Sequence, residues 1–260
     1  VRSKKDSSIV RGLRLAHDTP ESAFFSAGHT GAVFAAALMA MGRIDGIERP
    51  AIATAIPTLS GHCILLDAGA NVDVRAQHLV TFAFMGSVYA QVYLKKQKPK
   101  VGILSNGEEE SKGTEITREA SALLRKEKNI DFIGYVEGKE LFNGRVDVVV
   151  TDGYTGNIVL KSLEGLGKTI TSIIKNEMRR NIFTKMGSIF AVPALLRVKR
   201  KLYYASVGSA PLLGVDGNCF IGHGRSNARA IKNGIIRADE AIAMKLHPSL
   251  RSLFQTKEVT

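Results

Sequence analysis

Val148-Val149-Val150-Thr151-Asp152-Gly153-Tyr154-Thr155-Gly156-Asn157-Ile158-Val159-Leu160-Lys161-Ser162-Leu163-Glu164-Gly165 decides the fold class. Three consecutive valines, preceded by Val146 and Asp147, fit a strand covered on both faces, because β-branched side chains pack well on a buried pleated surface. The run breaks at Asp152-Gly153, and Gly153 and Gly156 allow a tight turn and a close approach of backbone to a ligand. Ile158, Leu160 and Leu163 then return with helical spacing. A strand that turns sharply into a helix offers free N–H groups and a positive dipole end, which suits an anion. Asn157 adds an amide there and Lys161 a charge one turn on. Taken alone, the same turn would be an ordinary βα connection in which Asp152 caps the helix.

The pattern recurs along the chain. Residues 23–27 form a strand that runs into Gly28-His29-Thr30-Gly31 and an apolar helix over 32–41. Residues 101–104 lead into Ser105–Gly113 and a charged helix over 115–127. Residues 219–221 lead into Gly222-His223-Gly224-Arg225-Ser226-Asn227 and a helix over 228–244. Between these lie strands at 49–57, 64–67 and 132–136, and a helix over 76–93. Ile9, Val10, Leu13 and Ala16 mark a further helical face near the start. Strands alternating with helices predict a mostly parallel sheet covered on both faces, with ligands beyond the carboxyl ends of the strands. The four polar turns are then expected to converge on one edge as a single site.

Composition narrows the partners. The chain has 260 residues, 45% of them hydrophobic, enough for a substantial core. Its net charge of +12 fits an acidic protein, an anionic membrane surface, nucleic acid or a phosphate ligand. Few aromatic residues interleave with the cations and no recognition motif appears, which argues against nucleic acid. Cys63 and Cys219 lie far apart and read as reduced thiols of a cytoplasmic protein. The six histidines show no zinc spacing, and no Gly-x-Ser-x-Gly, Gly-x-Gly-x-x-Gly or P-loop pattern occurs. His17, His78 and His247 read as surface or core-edge residues.

At the expected edge stand His29, Thr30, Asn71, Asp73, Asn106, Glu108, Lys112, Asp152, Asn157, Lys161, His223, Arg225, Ser226 and Asn227. Amides, N–H groups and cations of this kind hold phosphate and stabilise an oxyanion. Residues 182–204 differ in character. Phe183, Met186, Ile189, Phe190, Val192, Leu195, Leu196 and Val198 interleave with Lys185, Arg197, Lys199, Arg200 and Lys201, and Pro193 is expected to split the stretch into two pieces. It reads as a helical hairpin that either packs against a second subunit or enters a membrane surface, and both hold if its base pairs while its tip stays free.

Ser26-Ala27-Gly28-His29-Thr30-Gly31-Ala32, Gly42-Arg43-Ile44-Asp45-Gly46-Ile47-Glu48-Arg49-Pro50-Ala51, Leu66-Asp67-Ala68-Gly69-Ala70-Asn71-Val72-Asp73, Met85-Gly86-Ser87-Val88-Tyr89 and Val150-Thr151-Asp152-Gly153-Tyr154-Thr155-Gly156-Asn157 together resemble the bacterial phosphate acyltransferase family PlsX. The resemblance implies a three-layer α/β/α sandwich, similar to isocitrate and isopropylmalate dehydrogenases and to phosphotransacetylases. It implies one catalytic domain over residues 1–260 with a protruding helical hairpin at 170–205. It also implies that the chain starts about seventy residues into the family pattern, inside a domain of ordinary size.

The implied reaction moves a long-chain acyl group from acyl carrier protein to inorganic phosphate, and the acyl phosphate feeds phospholipid synthesis. The family is homodimeric and uses no metal or organic cofactor. Lys112, in its Glu-x-x-Lys-Gly turn, and Asn157, in its Thr-Gly-Asn turn, fall on the family's functional positions. His29 stands where the family has asparagine. Phosphate contact is expected from His29, Thr30, Asn71, Asn106, Asp152, Gly153, Gly156, Lys161, His223, Ser226 and Asn227. Membrane contact is expected from Phe183, Met186, Phe190, Leu195 and Leu196, beside a membrane-bound glycerol-3-phosphate acyltransferase. Phosphotransacetylase activity on short acyl-CoA and a non-catalytic membrane-docking relative are the competing readings.

Overall fold

The computed structural model describes residues 6–202 and 208–257. Eight strands form one sheet: β1 (Phe24–Ser26), β2 (Ala51–Pro57), β3 (His62–Leu66), β4 (Lys100–Leu104), β5 (Asp131–Val136), β6 (Val148–Val150), β7 (Ala210–Leu213) and β8 (Cys219–Ile221). Their order across the sheet is β1-β8-β7-β2-β3-β6-β4-β5. The helices are α1 (Ser8–Asp18), α2 (Thr30–Ala40), α3 (Ala76–Leu94), α4 (Glu115–Leu124), α5 (Gly153–Met178), α6 (Ile182–Leu202), α7 (Ala228–Ala243) and α8 (Leu246–Lys257).

The strands alternate as a sheet covered on both sides requires. Ile64 and Leu66 of β3 and Val148 and Val150 of β6 join the core under α3, α4 and α8. Cys63, Leu65 and Val149 face the other way, toward Val159 and Leu163 of α5. On that second face a separate cluster gathers Val10 and Leu13 of α1, Val33, Ala36 and Ala37 of α2, and Ile52, Leu212 and Ile221 of the sheet. One helical layer is therefore continuous, and the opposite layer is divided between an α1/α2 half and an α5 half. Each fully buried branched side chain contributes about 1.5–3 kcal/mol, so both halves are firmly seated.

The sheet is mixed. β1–β8, β3–β6, β4–β6 and β4–β5 pair in parallel, while β7–β8, β2–β7 and β2–β3 are antiparallel. β1 and β8 consequently run opposite to β3, β6 and β4. The four turns do not share one edge, because β2 and β7 reverse the chain direction between the two halves. One strand and one α-helix escape the sequence reading. β7 is four residues long and contains Pro211, which by composition argues against a central strand. α8 follows Lys245, whose φ of 56° turns the chain sharply after α7.

The hairpin is built on α5, one helix of 26 residues rooted at the sheet. Its second helix departs from expectation: α6 runs unbroken through Pro193 rather than in two pieces. A proline removes one helical hydrogen bond, here to the carbonyl of Ile189, and in so exposed a helix water can satisfy that group. Residues 203–205 lie outside the described residues, as do the side chains of Lys199, Arg200 and Lys201.

Candidate functional site

A cleft of about 690 Å³ opens where the second helical layer is divided. Its floor is β2, through Ile52 and Thr54, with Ala210 and Ile221 beside them. One wall is the turn after β1 and the start of α2, from Ala27 to Gly31, together with Gly222, His223 and Gly224 after β8. The other is Ala68, Gly69 and Ala70 after β3, with Asn157, Leu160, Lys161 and Glu164 of α5. The turns meet across the face of an antiparallel strand rather than along the end of a parallel sheet.

On the first wall His29 caps α2, its Nδ1 accepting from the N–H of Ala32 at 3.3 Å. A ring nitrogen that accepts carries no proton, so Nε2 holds the N–H. Thr30 and Gly31 are the first two helical residues, and their N–H groups have no intrahelical acceptor. The cap thus leaves two amides and the dipole's positive end at the cleft. His223 repeats the device, its Nδ1 accepting from the N–H of Arg225 at 3.0 Å. On the second wall Asn157 stands one turn into α5, beside Gly69. Lys161 forms an exposed ion pair with Glu164 at 3.2 Å.

Of the residues expected at the site, His29, Thr30, Asn157, Lys161 and His223 line this cleft. The others do not line it. Asp152 caps α5, accepting from the N–H of Thr155 at 2.7 Å. Asn227 caps α7 in the same way, from Ala230 at 3.0 Å. Gly153 and Gly156 are buried against a loop and face no opening: a Cβ at Gly153 would stand 2.6 Å from the Asn71 carbonyl oxygen, and one at Gly156 1.9 Å from the Asp67 carbonyl oxygen. Asn71 is buried and donates from Nδ2 to the Pro50 carbonyl at 2.8 Å and to Asp67 at 2.9 Å. Ser226 is half-buried in the turn before α7. Asn106 and Lys112 stand exposed on the loop after β4, where the Asn106 Oδ1 accepts from the N–H of Gly113 at 2.9 Å. Since β4 and β6 are parallel neighbours, that loop shares its sheet edge with the start of α5.

Sequence reasoning missed Asp67, buried behind the second wall. Burial pushes its carboxyl up from the ordinary range, against the N–H groups of Ala70 and Ile52 that pull it back. Its signal is its place between the hydrophobic run of β3 and an Ala-Gly-Ala-Asn turn. Burial pushes both Cys63 and Cys219 up to about 12, so neither supplies a thiolate at neutral pH. His62 packs edge-on against Tyr93 rather than serving Cys63. His78 is buried, with Nε2 2.8 Å from Glu48, while His17 and His247 hydrogen-bond Asp216 near the surface. No cluster of metal-ligating side chains occurs among the described residues.

The family model described as "Fatty acid synthesis protein" matches residues 1–247. The chain is 49% identical over 259 residues to the phosphate acyltransferase of Pelotomaculum thermopropionicum, covering 100% of this chain and 75% of that protein. It is 50% identical over 240 residues to the phosphate acyltransferase of Geotalea daltonii, covering 92% and 69%. The chain belongs to this fatty acid synthesis family. By family it is an acyltransferase. The fold is similar to that of the EutD phosphotransacetylase from Staphylococcus aureus, with a TM-score of 0.59 at 15% identity over 91% of this chain and 67% of that one.

Among the described residues no helix is long and apolar enough to cross a membrane. The hairpin is nevertheless apolar and open. Phe183 is 83% and Phe190 87% exposed, Met186 and Leu196 are exposed, and Leu195 is half-buried. On α5, Leu166, Ile170, Ile173 and Ile174 form an exposed stripe one and two turns apart.

Proposed function

We propose that this chain transfers a long-chain acyl group from the thioester of acyl carrier protein to inorganic phosphate, and that the acyl phosphate formed supplies phospholipid synthesis. The observation that carries the reading is the cleft, in which an amide-rich wall faces Asn157 across an apolar floor. Phosphate sits against the N–H groups of Thr30 and Gly31, with the Nε2–H group of His29 as a further donor and His223 on the same wall. A phosphate oxygen attacks the thioester carbonyl carbon. The tetrahedral oxyanion accepts a hydrogen bond from Asn157, the C–S bond breaks, and the carrier thiolate leaves and takes a proton from water. Phosphate is already a competent nucleophile, so positioning and charge stabilisation suffice. Lys112 and Asn106 are assigned to the phosphate and the thioester oxygen from the neighbouring loop on the family resemblance.

The hairpin supplies the remaining contacts. The stripe on α5 pairs with a second copy of the chain, and the tip around Phe183, Met186, Phe190, Leu195 and Leu196 enters an anionic membrane surface beside Lys185 and Arg197. A poorly soluble acyl phosphate then passes to a membrane-bound glycerol-3-phosphate acyltransferase. The enzyme works at the cytoplasmic face with no metal or organic cofactor.

The test is acyl phosphate formation from phosphate and long-chain acyl carrier protein, with Lys112→Ala as control. Turnover that falls about a hundredfold in the variant supports the reading, as loss of one oxyanion donor typically does. Turnover with short acyl-CoA but none with acyl carrier protein would replace it with a phosphotransacetylase. Vesicle binding without any turnover would leave a docking relative.

A further inference from the structure

The chemistry above makes no use of Asp67, although this carboxylate is fully buried behind the wall that carries Asn157. Its Oδ1 accepts from the N–H groups of Ile52 at 3.0 Å, Gly69 at 3.1 Å and Ala70 at 3.0 Å. Its Oδ2 accepts from the N–H of Ala70 at 3.1 Å, the N–H of Asn71 at 2.7 Å and the Asn71 Nδ2 at 2.9 Å. Gly69, Ala70 and Asn71 therefore turn successive amides inward onto one carboxylate. Gly69 and Ala70 line the cleft, yet their N–H groups are already taken and cannot hold an anion there.

The same loop seats the start of α5. The Asn71 carbonyl accepts from the N–H of Gly153 at 2.7 Å. The absence of side chains at Gly153 and Gly156 lets the helix close on Asn71 and Asp67. A Cβ at Gly69 would stand 3.4 Å from the Asn157 Cβ and 3.6 Å from its Oδ1, so the loop is the surface on which the Asn157 side chain rests.

We infer that Asp67 is a positioning residue for acyl transfer. By gathering the amides of Ile52, Gly69, Ala70 and Asn71 it sets the wall that orients Asn157, and it leaves phosphate to the opposite wall at Thr30 and Gly31. The inference rests on the assignment of Asn157 to the thioester oxygen. It makes the cleft asymmetric: the phosphate is bound on the α2 side and the reacting carbonyl is oriented on the α5 side.

The test is a double-mutant cycle in the acyl phosphate assay. Asp67→Asn keeps the shape but puts an NH2 group against N–H donors. It should lower kcat on the order of tenfold to a hundredfold, as misplacement of a reacting group does, with KM for phosphate within about twofold. In the Asn157→Ala background the same change should cost less than about twofold, because a residue that acts only through Asn157 has nothing left to orient. An equal loss in both backgrounds overturns the inference, since it would show a structural role independent of Asn157. A raised KM for phosphate with unchanged kcat also overturns it, by placing the anion on the Asp67 side.

If Asp67→Asn does not fold by circular dichroism, Asn71→Ala decides. It removes one donor to the Asp67 carboxylate, the Nδ2 at 2.9 Å, and leaves both the carboxylate and Asn157 in the chain. A kcat loss that disappears in the Asn157→Ala background supports the inference, and a loss that persists refutes it. Asn157→Ala with normal turnover overturns the reading of the site and this inference together. Impaired Asn157→Ala with an additive cycle overturns this inference alone.

Discussion

The two halves of α5 are made differently. The first half is keyed to the sheet by backbone contact: Gly153 and Gly156 lie against Asn71 and Asp67, and Val159 and Leu163 pack on β3 and β6. From Gly165 onward nearly every described residue is exposed, and the helix packs chiefly on α6. Helices in proteins draw most of their stability from burying an apolar face. The second half carries such a face in Leu166, Ile170 and Ile173 and leaves it exposed among the described residues. One helix thus joins a cleft wall to an arm whose apolar surface is exposed. Change at the rooted end should alter chemistry and stability, and change at the arm should alter association.

The largest expected effect is Asn157→Ala at the rooted end, which should lower turnover by about a hundredfold or more with circular dichroism unchanged, as loss of an oxyanion donor does. Normal rates would remove the chemical half of the contrast. Gly156→Ala comes next. Its Cβ cannot fit 1.9 Å from the Asp67 carbonyl oxygen, so α5 must shift, at a cost of about 1–3 kcal/mol in urea unfolding. An unchanged midpoint would show that the junction is loose.

At the arm, Leu195→Glu with Leu196→Glu should abolish sedimentation with anionic vesicles while changing stability by less than about 0.5 kcal/mol. A large loss of stability would mean that the tip is packed within the fold.

The smallest effect lies away from both ends. Burial, and secondarily the Arg237 charge, hold the His62 imidazole below its ordinary range. The unfolded chain then takes up a proton that the folded chain refuses. Stability should therefore fall as pH drops through 6.5 toward the lower folded value. His62→Gln should flatten that part of the pH profile.

Much of the fold was legible because its signals are local. The valines of β6, the strand-turn-helix recurrence and the long apolar helix α3 all appear where the residues place them. β7 was not legible, since Pro211 within four residues reads as a break and only pairing with β2 and β8 makes it a strand. The sheet's mixed direction follows from that pairing, and it moved the meeting of the turns from one edge to the face of β2.

The lining of the cleft was legible in part for the same reason. His29, Thr30, Asn157, Lys161 and His223 were found from turn composition and do line the cleft. Asp152, Asn227 and Asn71 share that composition and serve as caps and a loop brace, because a side chain that accepts one backbone N–H looks the same in sequence whether or not a ligand is near.

What the sequence by itself determined is the family, the α/β class and the residue types available for phosphate chemistry, all carried by short runs whose meaning does not depend on distant contacts. What only the tertiary structure decided is which of those residues face one another. That depends on strand direction and on long-range packing at Asp67, whose carboxylate joins β2 to the turn after β3, while the Asn71 carbonyl in that turn holds the start of α5.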